Sequence, residues 1–212
     1  MRILAGPEAV AAAAADAIVA AFSEGARTLA LAGGSTPRRC YQLLGERRIA
    51  WGRVTILFGD ERCLPPDHPE SNYRMARESL LGRVSPATVH RIPAELGPAE
   101  GARLYDPVVS GLRPLDLVIL GVGPDGHCAS LFPGAGALAA TGSAVAVHDA
   151  PKPPPGRVSL TLEALREARR VIFLATGAEK AEAVARAARA EVPAGLIPGA
   201  QWLVDQDAGR LA

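Results

Sequence analysis

The chain has 212 residues, 49% of them hydrophobic and 21% charged, which suits a single compact domain spanning 1–212 with a sizeable core. Its 23 basic residues stand against 22 acidic ones, a net charge of +1 with no basic stripe or cluster, so the balance argues against nucleic acid or a membrane surface and for a small-molecule substrate. The run Met1-Arg-Ile-Leu-Ala meets Gly6-Pro7 too soon to make a signal peptide or a membrane span, and a cytoplasmic protein is expected.

In chain order, Val10, Ala14, Ala17, Ile18, Ala21 and Phe22 share one helical face and predict an amphipathic helix over residues 8 to 23. Thr28 to Ala32 predict a short buried strand, and Val54 to Phe58 a second. Helices are expected near 37 to 44, 71 to 81 and 99 to 110, with Ser71-Asn72 read first as a helix cap. Leu117 to Leu120 predict a third strand, Val171 to Ala175 a fourth, and Trp202 to Val204 an edge strand, with a helix near 178 to 190 before the last. Between Pro133 and Gly156 the texture turns to Gly, Ala and Pro, which reads as a long functional loop enclosing a strand near Ala144 to Val147. Strands alternating with helices give an α/β class: a mostly parallel, Rossmann-like sheet flanked by helices on both faces, joined by right-handed crossovers.

Ligands in such folds bind at the carboxyl ends of the strands, and three of those ends carry chemistry. The first strand runs into Gly33-Gly-Ser-Thr-Pro37, where Thr36 is a natural N-cap and Pro37 suits the first helical position. Gly34, Ser35 and Thr36 are therefore candidates to cradle a phosphate with backbone N–H groups and the helix dipole, although the P-loop lysine and spacing are absent. The second strand ends in Gly59-Asp-Glu-Arg62, charges that need partners at a buried strand end. Asp60 is a candidate to orient or charge-stabilise an imidazole and Arg62 to fork onto a phosphate or carboxylate, whereas Glu61 reads as a structural pairing with a neighbouring turn.

The third strand delivers Gly121-Val-Gly-Pro-Asp-Gly-His127, and an imidazole placed there is the candidate general base. Asp125 and Gly126 of the same turn are expected against the substrate. Three cysteines, at 40, 63 and 128, are too few and too scattered for a disulfide framework or a metal clip, and Cys128 beside His127 reads as a small buried residue rather than a nucleophile. No metal site is expected. Of 23 basic residues only two, Lys152 and Lys180, are lysine, and a lysine retained in an arginine-rich chain points to work for a compact ammonium. Thr176 with Glu179 reads as a capping box that puts Lys180 in the first turn of the next helix, where a cation opposes the dipole unless an anion sits between. Lys180 is thus a further phosphate candidate.

Taken together, Gly33 to Pro37, Gly59 to Arg62 with Ser71-Asn72, Gly121 to Pro133, and Lys152 with Arg157-Val-Ser-Leu-Thr161 resemble the 6-phosphogluconolactonase family, in the family's order, over residues from about 30 to 180. The resemblance implies an α/β fold related to glucosamine-6-phosphate deaminase, no metal or organic cofactor, and hydrolysis of 6-phosphogluconolactone in the oxidative pentose phosphate pathway. Under it, His127 activates water, Asp60 steadies the imidazole, backbone N–H groups of the glycine-rich turn receive the oxyanion, and Arg62, Arg157 and Lys180 support the Gly34-Ser35-Thr36 turn on the phosphate. A monomer or weak homo-oligomer is expected. The deaminase alternative differs at two places: an acidic residue stands five positions beyond its histidine, where this chain has Phe132, and a tyrosine replaces Arg62. A sugar-phosphate sensor that binds without reacting is the other alternative, and it has no need of an acid–base histidine.

Overall fold

A computed structural model describes residues 1–212. In chain order the elements are β1 (Arg2–Leu4), α1 (Pro7–Ser23), β2 (Thr28–Leu31), α2 (Ser35–Leu44), β3 (Thr55–Phe58), β4 (Asp60–Arg62), α3 (Asn72–Ala76), β5 (Thr88–Val89) and α4 (Pro98–Ser110). There follow β6 (Leu117–Gly121), β7 (Ala144–Val147), β8 (Arg157–Leu160), α5 (Leu162–Glu167), β9 (Val171–Ala175), α6 (Ala181–Ala188) and β10 (Gln201–Asp205). No helix is long and apolar enough to cross a membrane.

Seven strands form one sheet in the order β1-β10-β9-β6-β2-β3-β5, and every pairing in it is parallel. Every residue of β2 and of β9 is buried, as continuous apolar strands covered on both faces must be. Helices flank the sheet; α1 turns Val10, Ala14 and Ile18 inward, and its alanines let it lie close against α2. A core of 51 buried residues joins these layers. Each fully buried Leu, Ile or Phe there contributes about 1.5–3 kcal/mol of burial free energy before chain entropy is set against it.

The strands expected at 28, 54, 117, 144 and 171 are all present, and so is the strand at 202, though not at the edge. There β10 is sandwiched between β9 and β1, because Arg2 to Leu4 pair in register with Leu203 to Asp205. A three-residue strand is too short to declare itself by periodicity. The same brevity hides β4, which pairs antiparallel with β8 and β7 in a separate three-stranded sheet. Asp60-Glu61-Arg62 thus does not end at the main sheet but crosses into this second one, opposite Ser159, Val158 and Arg157.

Two buried phenols bond backbone groups that strand pairing leaves unpartnered. Tyr41 Oη accepts from the Ala32 N–H at 2.8 Å and donates to the Ala32 carbonyl at 3.1 Å. At Phe58, beyond the last pairing of β3 with β5, Tyr105 Oη does the same at 2.9 and 3.0 Å. Both exits lead directly into the turns that build the site.

Candidate active site

The carboxyl ends of β2, β3, β6 and β9 surround a cavity of about 420 Å³. Gly34, Ser35, Thr36, Asp60, Arg62, His127, Arg157 and Lys180 all line it, together with Asn72 and Lys152. Asp125 and Gly126 do not: the first is turned onto the histidine and the second packs away from the cavity, its carbonyl accepting from Ala194 N–H at 3.1 Å.

The turn that follows β6 closes on itself. Gly123 N–H donates to the His127 carbonyl and Gly126 N–H to the Gly123 carbonyl, both at 2.9 Å. The imidazole folds back over Gly123, where a Cβ would collide with the ring and with the Asp125 carboxylate. His127 Nδ1 is hydrogen-bonded to Asp125 Oδ1, and Phe132 covers the ring with centroids 4.5 Å apart. Burial pulls the imidazole below its ordinary pKa, outweighing the Asp125 hydrogen bond and charge that favour the cation. Asp125 feels burial too, but the His127 hydrogen bond and charge leave it below the usual carboxylate range. The pair is then a carboxylate accepting Nδ1–H from a neutral ring, the tautomer that leaves the Nε2 lone pair free.

Asp60 does not orient the ring. Its Oδ2 accepts from Ser130 Oγ at 2.6 Å and its Oδ1 from Asn72 Nδ2 at 3.2 Å, and its charge reaches His127 only through space, favouring the imidazolium. The reason lies in β4: pairing with β8 turns Asp60 toward Ser130 and Ser159, and Asn72 closes over it from the other side. Asn72 fits because Gly33 has no side chain; a Cβ there would overlap the Asn72 amide. Glu61 is structural, as expected. It accepts Ser71 Oγ at 3.0 Å and the N–H groups of Arg62, Asn72 and Tyr73 at 2.8 Å each, while burial nonetheless raises its pKa. Ser71 caps α3 by accepting from Arg74 N–H at 3.1 Å, again as expected.

The turn after β2 starts its helix earlier than the expected cap. Gly34, at φ +112°, is the N-cap, and the Thr36 hydroxyl instead meets the Thr176 hydroxyl at 2.7 Å, tying the β2 exit to the β9 exit. Neither Ser35 nor Thr36 donates its N–H to a carbonyl, so the first turn of α2 offers free donors to the cavity. Nor is there a capping box at Thr176. Gly177 breaks it, its N–H held by both oxygens of Asp205 at 3.0 and 3.1 Å, and a short 3-10 turn carries Lys180 to the start of α6. Burial lowers the Lys180 pKa, Glu179 opposes that, and Lys152 adds to it, so the only two lysines of the chain are electrostatic neighbours.

Arg62 donates from Nη1 to the Glu70 carbonyl at 2.7 Å, and its Nε is buried without a partner. Arg157 commits Nε and Nη2 to backbone carbonyls of residues 152 to 154. Cys128 is fully buried and its thiol is pushed up to about 12, the inert packing residue expected. Nothing in the spacing of Ser130 and Asn72 announces their contacts with Asp60, which reach across 70 and 12 residues of chain. For Lys152 a signal existed: its rarity.

Residues 5–205 match the family described as glucosamine-6-phosphate isomerases/6-phosphogluconolactonase. A protein from Synechocystis named 6-phosphogluconolactonase is 37% identical over 205 residues, covering 88% of this chain and 85% of its own length. The crystal structure of 6-phosphogluconolactonase from Thermotoga maritima superposes with a TM-score of 0.88 at 28% identity, covering 96% of this chain and 98% of that one. A monomeric glucosamine-6-phosphate deaminase superposes with a TM-score of 0.83 over the whole of both chains at 20% identity, a likeness of fold alone. By sequence match over nearly its whole length, this chain belongs to the glucosamine-6-phosphate isomerase/6-phosphogluconolactonase family.

Proposed function

We propose that this chain is a 6-phosphogluconolactonase, hydrolysing 6-phospho-D-glucono-1,5-lactone to 6-phosphogluconate. The observation that carries the reading is a neutral, carboxylate-oriented imidazole at one side of a cavity whose other sides offer free helix N–H groups and the chain's two lysines. The names carried by relatives at 37% identity support it.

In this reading the phosphate rests on the first turn of α2, at Gly34, Ser35 and Thr36, with Lys180 beside it; free N–H groups and the helix dipole favour a dianion there. His127 Nε2 takes a proton from a water as that water attacks the lactone carbonyl, and the imidazolium returns it to the departing ring oxygen. Asp125, rather than Asp60, holds the ring during both transfers. General-base catalysis of this kind supplies about 10²–10⁴-fold. The oxyanion is not assigned to the glycine turn, since the N–H groups of Gly123 and Gly126 are already spent within it. Arg62 and Lys152, both lining the cavity, offset its charge instead. Asp60, held by Ser130 and Asn72, adds negative potential that steadies the imidazolium.

Phe132 argues against the amino-sugar alternative. It occupies the position where the deaminase reading calls for a carboxylate, and it covers the imidazole instead of offering it a second acid. The reading places the protein in the cytoplasm, acting on a small phosphosugar without metal or organic cofactor. The deciding experiment couples glucose-6-phosphate dehydrogenase to 6-phosphogluconate dehydrogenase and measures whether the purified protein accelerates the second reduction. Ammonia release from glucosamine 6-phosphate without such acceleration would overturn the assignment.

A further inference from the structure

Between Pro151 and Gly156 four of six residues are proline, so only Lys152 and Gly156 carry a backbone N–H. A segment so poor in donors cannot satisfy its own carbonyls, yet the five carbonyls from Lys152 to Gly156 all have partners. Ala150 N–H donates to the Pro155 carbonyl and Cys63 N–H to the Gly156 carbonyl, each at 3.0 Å. Arg157 supplies the other three: Nη2 donates to the carbonyls of Lys152 at 3.0 Å and Pro153 at 3.3 Å, and Nε to that of Pro154 at 3.2 Å.

The guanidinium that makes these bonds belongs to a residue only 5% exposed and lies 5.7 Å from the centre of the Phe132 ring, the ring that covers His127. One edge of the group spans three successive carbonyls while its central carbon lies over an aromatic ring, which is work for a rigid five-donor fork and not for an ammonium. The segment it fastens carries Lys152 to the cavity, close enough for its charge to act on Asp125, His127 and Lys180.

Resting on the reading of the cavity as a phosphosugar site, we propose that Arg157 is a positioning residue. It anchors the proline-rich segment by three carbonyls and so holds the Lys152 ammonium over the lactone carbonyl, which becomes the carboxylate of 6-phosphogluconate, and it does not itself grip that group. Arg157 and Lys152 then form one functional unit, joined through the backbone.

The test is a double-mutant cycle on 6-phosphogluconate affinity, measured by calorimetry. Arg157→Lys keeps the charge and loses the fork. It is expected to weaken binding about tenfold, as Lys152→Gln does, the size of one lost charge-assisted contact, and the double variant should lose no more than the worse single one. Losses that multiply to about 100-fold, or native affinity in Arg157→Lys, would overturn the proposal. A second arm needs no ligand. With the lysines reductively methylated using carbon-13, the native chain gives one signal each for Lys152 and Lys180 besides the N-terminal amine. In Arg157→Gln the Lys152 signal should leave its native position while that of Lys180 stays; an unmoved Lys152 signal would sink the anchor. If the native protein fails to bind 6-phosphogluconate, it is the functional reading that fails, and the spectrum still decides the role of Arg157.

Discussion

Asp60, just past β3, lines the crevice, Asp125, in the turn after β6, stands behind the His127 ring that lines it, and the two are held in opposite ways. Asp60 is buried and held by uncharged side chains, the hydroxyl of Ser130 and the amide of Asn72. Asp125 is 36% exposed at its side chain, and its one side-chain partner is the imidazole. A carboxylate with fixed dipoles around it shapes potential and packing, whereas one bonded to a titratable ring shapes a proton transfer. The difference is a matter of partners, not of residue type or of distance from a strand end.

That contrast is broken or sharpened by substitution. The largest effect is expected from His127→Ala, with kcat reduced by about 10²–10⁴-fold and product affinity nearly native; turnover close to native would remove the proton-transfer role on which the contrast rests. Asp125→Asn should come next, lowering kcat by roughly 10–100-fold with the melting temperature unchanged, since the ring loses a charged acceptor that fixes its tautomer while no core contact is lost. Because activity needs the neutral ring, the acid limb of the rate profile marks the His127 pKa, which burial sets below the ordinary value of about 6.5. Asp125 raises that pKa, so its removal should move the acid limb to lower pH; a shift upward would contradict the pairing.

Asp60→Asn should behave the other way round: a smaller kinetic loss, the same downward direction of the acid limb, but a clear fall in thermal stability, about 1–3 kcal/mol, as Ser130 and Asn72 lose a charged acceptor. Equal melting temperatures for the two aspartate variants would erase the distinction. The smallest effect is expected from Phe132→Leu, which thins the cover over the imidazole. Its acid limb should move to higher pH, with kcat at the plateau within about threefold of native, read from the same profile.

The sequence was most legible where one segment carried its own signal. Apolar runs such as Leu117–Leu120 and Val171–Ala175 announced buried parallel strands, and glycine clusters marked their exits, so the four turns around the cavity were found. Illegible features were those set by pairing between distant segments. Nothing in Asp60-Glu61-Arg62 says that β8 will lie beside it, and that pairing turns Asp60 away from His127 and toward Ser130. Local cap chemistry misled at Thr36 and Thr176 for the same reason: each hydroxyl had a better partner across the crevice, namely the other. The resemblance offers Arg157 to the phosphate, while the loop's shortage of donors, which draws its Nε and Nη2 to the carbonyls of residues 152 to 154, shows only once the segment is folded.

The phenols of Tyr41 and Tyr105 bear on how firmly the crevice keeps its shape. Each bonds a residue at which strand pairing has ended on at least one side, accepting from its N–H and donating to its carbonyl, so deleting either oxygen would strand two buried backbone groups with no solvent to replace it. The mouth of the cavity is therefore braced from below, by groups no ligand can touch. Drift in its width would begin in the packed interior, far from any residue that meets substrate.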